Sequence, residues 1–266
     1  MKELIEKVYA RINRPVNIME VCGTHTVALF RHGIRSLLPE GVRLLSGPGC
    51  PVCVTSIRDV DTAIAFAHHP EVILTTFGDM MRVPGGTKSL LEAKAEGADI
   101  RIVYSPLDGL AIAQQNPAKK VVFFSAGFET TAPNAAATLS EAERQGVENF
   151  FLFSVHKVVP PALAALLQSD DVRIDAFMLP GHVSTIIGTQ VYDFLARDYH
   201  KPCVVTGFGA QDILAALVMI LRQMDEGRAD IEIQYASVVS REGNPKALQF
   251  METYFEPCDS YWRGIG

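Results

Sequence analysis

Gly47-Pro-Gly-Cys-Pro-Val-Cys53 sets two thiols three residues apart in a loop of glycine and proline. Such a pair can close a disulfide, hold a metal or attack as a thiolate. Leu44-Leu45 before it reads as the end of a strand. Ile57, Val60, Ile64 and Ala67 after it recur at helical spacing, so the pair lies at a strand-to-helix crossing. The N-terminus of a helix favours the anionic form of sulfur, which serves all three uses. A second loop, Cys22-Gly-Thr-His25, follows the apolar run Val16-Asn-Ile-Met-Glu-Val21. What the protein does depends on how these two loops meet.

Other chemistry-bearing residues also stand at expected strand ends: Asp79, Glu129, His156, His182 and Ser184. In open α/β folds ligands gather beyond the carboxyl ends of the strands. Each has a plainer reading. Glu129 can cap the following helix through Thr130 or Thr131, His182 can be a satisfied loop histidine, and Asp79 and His156 carry weaker signals still. Cys203, in the run Cys-Val-Val, reads as core packing, and His68-His69 as solvated residues at a helix end. Cys22-x2-His25 with Cys50-x2-Cys53 has the ligand count of a tetrahedral zinc site, although its halves lie on separate crossings. Cys50 and Cys53 alone would suit a thiol-disulfide oxidoreductase, which leaves Cys22 and His25 without a role. No glycine loop matches a dinucleotide or phosphate-binding fingerprint.

The elements that must position these residues follow one repeating pattern. After an opening amphipathic helix (Leu4, Ile5, Val8, Tyr9, Ile12), apolar runs alternate with Gly- or Pro-rich turns and helical stretches. Strands are expected near Val16, Val42, Val72, Ile100, Val121, Phe150, Ile174 and Cys203; most are apolar on both faces, as in parallel sheets covered on either side. Thr87 can cap a helix that Gly97 ends, Pro133 can open one that Gly146 ends, and Gly227 closes the run from Gln211. Ile231, Tyr235, Val238 and Val239 fit a helix better than a strand, and Asn244-Pro245 looks like a helix start. The expectation is two Rossmann-like parallel-sheet α/β domains facing a central cleft. Residues 1–117 would form the first, carrying the Cys22 and Cys50/Cys53 loops, and 118–230 the second. A helical C-terminal segment, 231–266, stops at Trp262-Arg-Gly-Ile-Gly266 without a terminating pattern and reads as truncated.

Composition narrows the classes. At 266 residues, with 48% hydrophobic and 20% charged residues, the chain can bury a large core. A net charge of −6 without a basic stripe argues against nucleic acid. No apolar run reaches membrane-span length, and the charged N-terminal helix is not a signal peptide. Five cysteines in a chain this long are not a disulfide framework, so a cytoplasmic setting with metal or redox chemistry is expected.

Together the loops resemble the HypD family of [NiFe]-hydrogenase maturation factors. The resemblance rests on Met19-Glu-Val-Cys-Gly-Thr-His25, Ser46-Gly-Pro-Gly-Cys-Pro-Val-Cys-Val54, Ser125-Ala-Gly-Phe-Glu-Thr-Thr131, Leu179-Pro-Gly-His-Val-Ser184 and Phe255-Glu-Pro-Cys258, in the family's order over nearly the whole chain. It implies an assembly factor rather than a conventional enzyme: a scaffold for the Fe(CN)2CO centre of the hydrogenase. That scaffold works with a small HypC-type partner whose N-terminal cysteine shares the iron, and with a HypE-type cyanide donor. Carried over, Cys22 is the iron ligand, His25 its neighbour in the same essential loop, and Cys50 with Cys53 the redox-active pair. Glu129 and His182 line the cleft. Val27 stands where many relatives have a second histidine. The family also binds a [4Fe-4S] cluster through four cysteines of a C-terminal segment that would follow Gly266, so those ligands are expected to be absent from this chain.

Overall fold

The computed structural model describes residues 1–169 and 172–264. The chain forms two compact units, Met1–Cys50 with Val158–Pro245, and Pro51–Lys157 with Lys246–Gly266. Each is an α/β unit built on a parallel sheet, so the expected fold class holds. Among the described residues, no helix is long and apolar enough to cross a membrane.

The first unit opens with α1 (Lys2–Ile12), β1 (Val16–Glu20), α2 (Gly23–Arg31) and β2 (Val42–Ser46). The chain then builds the second unit through α3 (Pro51–Val54), α4 (Ile57–Ala67), β3 (Val72–Thr76), α5 (Leu90–Ala95) and β4 (Ile100–Ile102). It continues through α6 (Pro106–Gln115), β5 (Lys120–Ser125), α7 (Ala132–Gln145) and β6 (Phe150–Ser154). It returns to the first unit with α8 (Val159–Leu167), β7 (Ala176–Pro180), α9 (Gly181–Ile187), α10 (Asp193–Arg197), β8 (Cys203–Thr206), α11 (Ala210–Asp225) and β9 (Ile231–Ile233). Finally, α12 (Pro245–Tyr254) leads into the last stretch of the second unit.

The strand orders are β2-β1-β7-β8-β9 in the first unit and β4-β3-β5-β6 in the second, with every pairing parallel. The division at residue 117 therefore does not describe the sheets. β7 and β8, expected with the second domain, pair in the first, where Ile18 lies opposite Ala176. β3 and β4, expected in the first, belong to the second. The run of polar residues near 117 is an ordinary helix-to-strand turn inside one unit. Likewise Ile231–Ile233 is a strand, with Cys203 opposite Ile231. The helical spacing read there reflects the turn just beyond it, where the amides of Val238 and Val239 donate to the Tyr235 carbonyl.

Successive apolar residues in one strand feed opposite layers, which is why the runs are continuous. Phe124 packs with Val60, Ile64 and Leu90 on one face of the second sheet, while Phe123 packs with Leu110, Ala113 and Ala142 on the other. Burying each phenyl ring contributes about 1.5–3 kcal/mol. In the first unit Ile18, Met178 and Val204 pack under Ile5, Leu29, Ile213 and Leu217 of α1, α2 and α11. Gly146, at φ 67°, ends α7 in the left-handed conformation, as expected. Pro133 lies in the first turn of α7 and Pro245 is the first residue of α12. The cap of α5 is Ser89 rather than Thr87: its hydroxyl accepts from the Glu92 amide while the Glu92 carboxylate accepts from the Ser89 amide.

Candidate functional site

In the first unit β1 and β2 run side by side, with Glu20 opposite Ser46, so the loops carrying Cys22 and Cys50 leave the sheet together. The Gly47 amide donates to the Glu20 carbonyl at 2.8 Å, and the Gly23 amide donates to the Gly49 carbonyl at 3.1 Å. These approaches require glycine. A Cβ at Gly49 would lie 2.5 Å from the Val21 carbonyl oxygen and 2.6 Å from the Cys22 Cα, and one at Gly47 would lie 2.9 Å from Met19 Sδ. The spacing of Gly47-Pro-Gly-Cys is thus the spacing that lets one backbone rest on the other. A Cβ at Gly23 would sit 3.9 Å from that of Cys50, so the first cysteine of the pair lies against the residue after Cys22.

Cys22 is the N-cap of α2 in extended conformation, and its carbonyl accepts from the amides of His25 and Thr26. The first turn of α2 carries His25 into the interior. The Gly207 carbonyl lies 3.0 Å from His25 Nε2 and can only accept, so Nε2 bears the proton. Nδ1 is then a bare lone pair, buried and without a hydrogen-bond partner. Burial holds the imidazole at a pKa of about 4, against the opposing pull of the Gly207 and Thr206 backbone. The ring stacks on Phe208 at 4.6 Å, and His182, on α9, lies 4.1 Å from the same phenyl ring. Phe208 therefore joins the two histidines.

These residues follow β2, β1, β7 and β8, adjacent strands of one sheet. β2 lies on one side of β1 and β7 on the other, so Cys22 and His182 flank a topological switch point, the place where open α/β sheets bind ligands. The structure thus brings together Cys22, His25, Cys50 and His182. Ser184 is buried and donates to the Pro180 carbonyl, a local structural bond.

Cys53 and Glu129 belong to the second unit, whose boundary falls immediately after Cys50. Cys53 is the third residue of α3 and is exposed. Glu129 is buried in the loop after β5. Asp79 is exposed in a 3-10 turn, Gly78–Arg82. His156, just after β6, lies between the hydroxyls of Ser125 (3.4 Å) and Ser154 (3.0 Å), and burial lowers its pKa to about 4. The stretch after α12 packs on the same unit. Phe255 lies 5.7 Å from His156, and Trp262 lies 5.9 Å from Phe128. The Arg263 amide donates to the Val54 carbonyl, and its guanidinium donates to those of Thr55 and Pro84.

Cys203 is buried in β8, with its thiol pKa pushed up by burial, as its run predicts. His68 and His69 are exposed at the end of α4. Among the described residues, no group of three or more His, Cys, Asp or Glu side chains gathers as a metal cage. Cys203 is sealed in the core of the sheet, which removes it as a ligand for any metal group. Sequence reasoning missed Phe208 and Glu20. The Thr206-Gly-Phe-Gly209 turn is visible as a strand end, but its phenyl partner is not. Glu20 sits inside an apolar run, and a carboxylate in a strand buried on both faces is itself a signal.

The fold is a two-unit α/β protein in which loops bearing Cys22, His25, Cys50 and His182 leave adjacent strands of one sheet. A family profile described as "Hydrogenase formation hypA family", HypD, matches residues 1–266. The chain is 52% identical over 256 residues to the hydrogenase maturation factor HypD of Escherichia coli (strain K12), covering 95% of this chain and 68% of that protein. It is 50% identical over 264 residues to the HypD of Rhodobacter capsulatus, covering 99% of this chain and 70% of the relative. It is 48% identical over 260 residues to the hydrogenase expression/formation protein HupD of Azotobacter chroococcum mcd 1, covering 95% and 69%. The chain belongs to the HypD family of hydrogenase maturation factors.

Proposed function

We propose that this chain is a cytoplasmic scaffold on which the Fe(CN)2CO centre of a [NiFe]-hydrogenase is assembled, with the iron fragment as cargo. Cys22 supplies the thiolate that holds the iron, and the HypC-type partner supplies a second. Low-spin iron carrying cyanide and carbonyl is a soft centre, and thiolate is a soft ligand. One ligand from each protein leaves positions open for the diatomic ligands and lets the finished group depart. Oxidation of Cys50 and Cys53 to a disulfide releases two electrons and two protons, which would reduce an oxidised precursor of the carbonyl ligand. His182 offers a polar contact to a bound cyanide. A HypE-type protein delivers the cyanide.

The observation that supports this reading is the Gly23–Gly49 contact, which holds the backbone after Cys22 against the backbone before Cys50. The helix that begins at Cys22 also presents Val27 and Phe30, 56% and 68% exposed, an apolar face suited to a small protein partner. The test is infrared spectroscopy with metal analysis on protein purified without oxygen, co-produced with the small partner and the cyanide-supplying proteins. Cyanide and carbonyl stretches with bound iron, abolished by Cys22→Ala, are expected. Stoichiometric zinc, or no metal with only a titratable disulfide, overturns the reading.

A thiol-disulfide oxidoreductase using Cys50 and Cys53 is the second reading, favoured by the exposure of Cys53 on a single helical turn. Disulfide exchange that survives Cys22→Ala, with no cargo on the wild type, would select it.

A further inference from the structure

Both cysteine loops depend on one carboxylate that the chemistry above does not use. Glu20 is the last residue of β1, and only 1% of its surface is exposed. Its Oε1 accepts from Ser46 Oγ at 2.8 Å, from Arg35 Nη2 at 3.1 Å and from Thr26 Oγ1 at 3.4 Å. Ser46 is the last residue of β2 and leads into Gly47-Pro-Gly-Cys50. Thr26 lies in the first turns of α2, the helix that begins at Cys22. Arg35 sits on the 3-10 turn Ile34–Leu37 and also covers the ring of Phe30 on α2 at 4.9 Å. One oxygen therefore gathers donors from the end of β2, from α2 and from the turn that follows it. Oε2 is buried with no hydrogen-bond partner. A buried carboxylate left half-unsatisfied is costly, and an apolar residue, as at the neighbouring strand positions, would fill the space without that cost.

We propose that Glu20 is a positioning residue for the two thiol loops: its Oε1 fixes the Cys22 helix against the start of the Cys50 loop, and so fixes the separation of the two thiols. This inference rests on the scaffold reading only for its consequence, since the thiol separation can be measured without cargo. The glycine contacts set how closely the backbones approach, and Glu20 sets how they are rotated about that contact.

The experiment measures bridging of Cys22 to Cys50 by a short bifunctional thiol reagent, in the reduced 266-residue chain carrying Cys53→Ser, with circular dichroism as the check on folding. Glu20→Ala should lower the bridging rate at least tenfold while single-thiol alkylation of Cys22 and Cys50 changes less than threefold. Glu20→Gln keeps an acceptor oxygen at the same place and should restore bridging to within threefold. Should Glu20→Ala fail to fold, Ser46→Ala and Thr26→Val remove the donors one at a time, and each should lower bridging severalfold, with a larger loss in the double variant. Unchanged bridging in Glu20→Ala, a Gln variant no better than Ala, or donor variants without effect each overturn the proposal. Wild-type protein that bridges normally yet holds no iron would sink the scaffold reading and leave this one standing.

Discussion

The amide of Gly23 donates to the carbonyl of Gly49 at 3.1 Å, and through this bond the residue after Cys22 rests against the residue before Cys50. The two thiol loops are one structure held by backbone, a firmer arrangement than two side chains that happen to point the same way.

Gly49→Ala should therefore be among the most damaging small substitutions in the chain. The added methyl would meet backbone on all sides, 2.5 Å from the Val21 oxygen and 2.6 Å from the Gly23 nitrogen, with no flexible side chain to yield. A loss of about 1–3 kcal/mol in urea unfolding is expected. Gly78→Ala, whose nearest neighbour would be Ile102 Cγ2 at 3.6 Å, should cost under about 0.5 kcal/mol. Equal effects at the two positions would contradict the packing account.

His25 should make stability fall in mild acid. Its pKa is about 4 in the fold against 6.5 when unfolded, so between those values the unfolded chain binds a proton that the native chain refuses. Stability then rises with pH across this window, is fully present above about pH 6.5 and is lost as pH drops toward 4. The contribution is on the order of 3 kcal/mol at neutral pH. The same sign holds for His156. Urea midpoints measured from pH 7 to pH 5 should fall, and His25→Phe should flatten part of that slope. A slope unchanged by the substitution would place the titration elsewhere.

Arg263 should steady the turn that carries the exposed thiol of Cys53. Its backbone amide and guanidinium hold the carbonyls of Val54, Thr55 and Pro84, the first two directly after the thiol. Arg263→Ala removes the forked donor, and lysine cannot replace it at two carbonyls. In the reduced protein, alkylation of Cys53 should change severalfold in Arg263→Ala and Arg263→Lys while that of Cys22 is unmoved. Mass spectrometry of labelled peptides reads both sites at once.

Cys203 should resist the same reagent. It is buried in β8 and burial disfavours its thiolate, so labelling requires unfolding, whereas Cys53 and Cys258 are exposed. Native protein should label at 53 and 258 first and at 203 only in denaturant. Early modification of Cys203 would mean that the sheet opens locally.

All eight strands anticipated in the sequence are present, and the central ones, β3, β5, β7 and β8, are covered on both faces, which writes a continuous apolar run into the chain. Sheet membership was not legible. It depends on pairings such as Ile18 with Ala176, between residues that share no local pattern. The same limit applies at the site. Cys22, His25, Cys50 and His182 stand out by type and by their place at strand ends. Phe208, which joins the two histidines, is one aromatic among many, and Glu20 is hidden in a hydrophobic run. The three-residue β9 is too short to show a period of its own, and the turn after it supplied a misleading one.

The first unit is interrupted in the chain, and this orders its birth. β1 and β2 leave the ribosome early, but β1 is an interior strand whose second neighbour, β7, begins only at Ala176. At translation speeds of about 5–20 residues per second, the nascent β1 waits on the order of ten seconds with one edge unpaired. The inserted segment, 51–157, holds every strand of its own sheet and can mature during that wait. The cysteine centre is thus finished late in synthesis, and an immature chain carries its thiols before it has the sheet that aligns them.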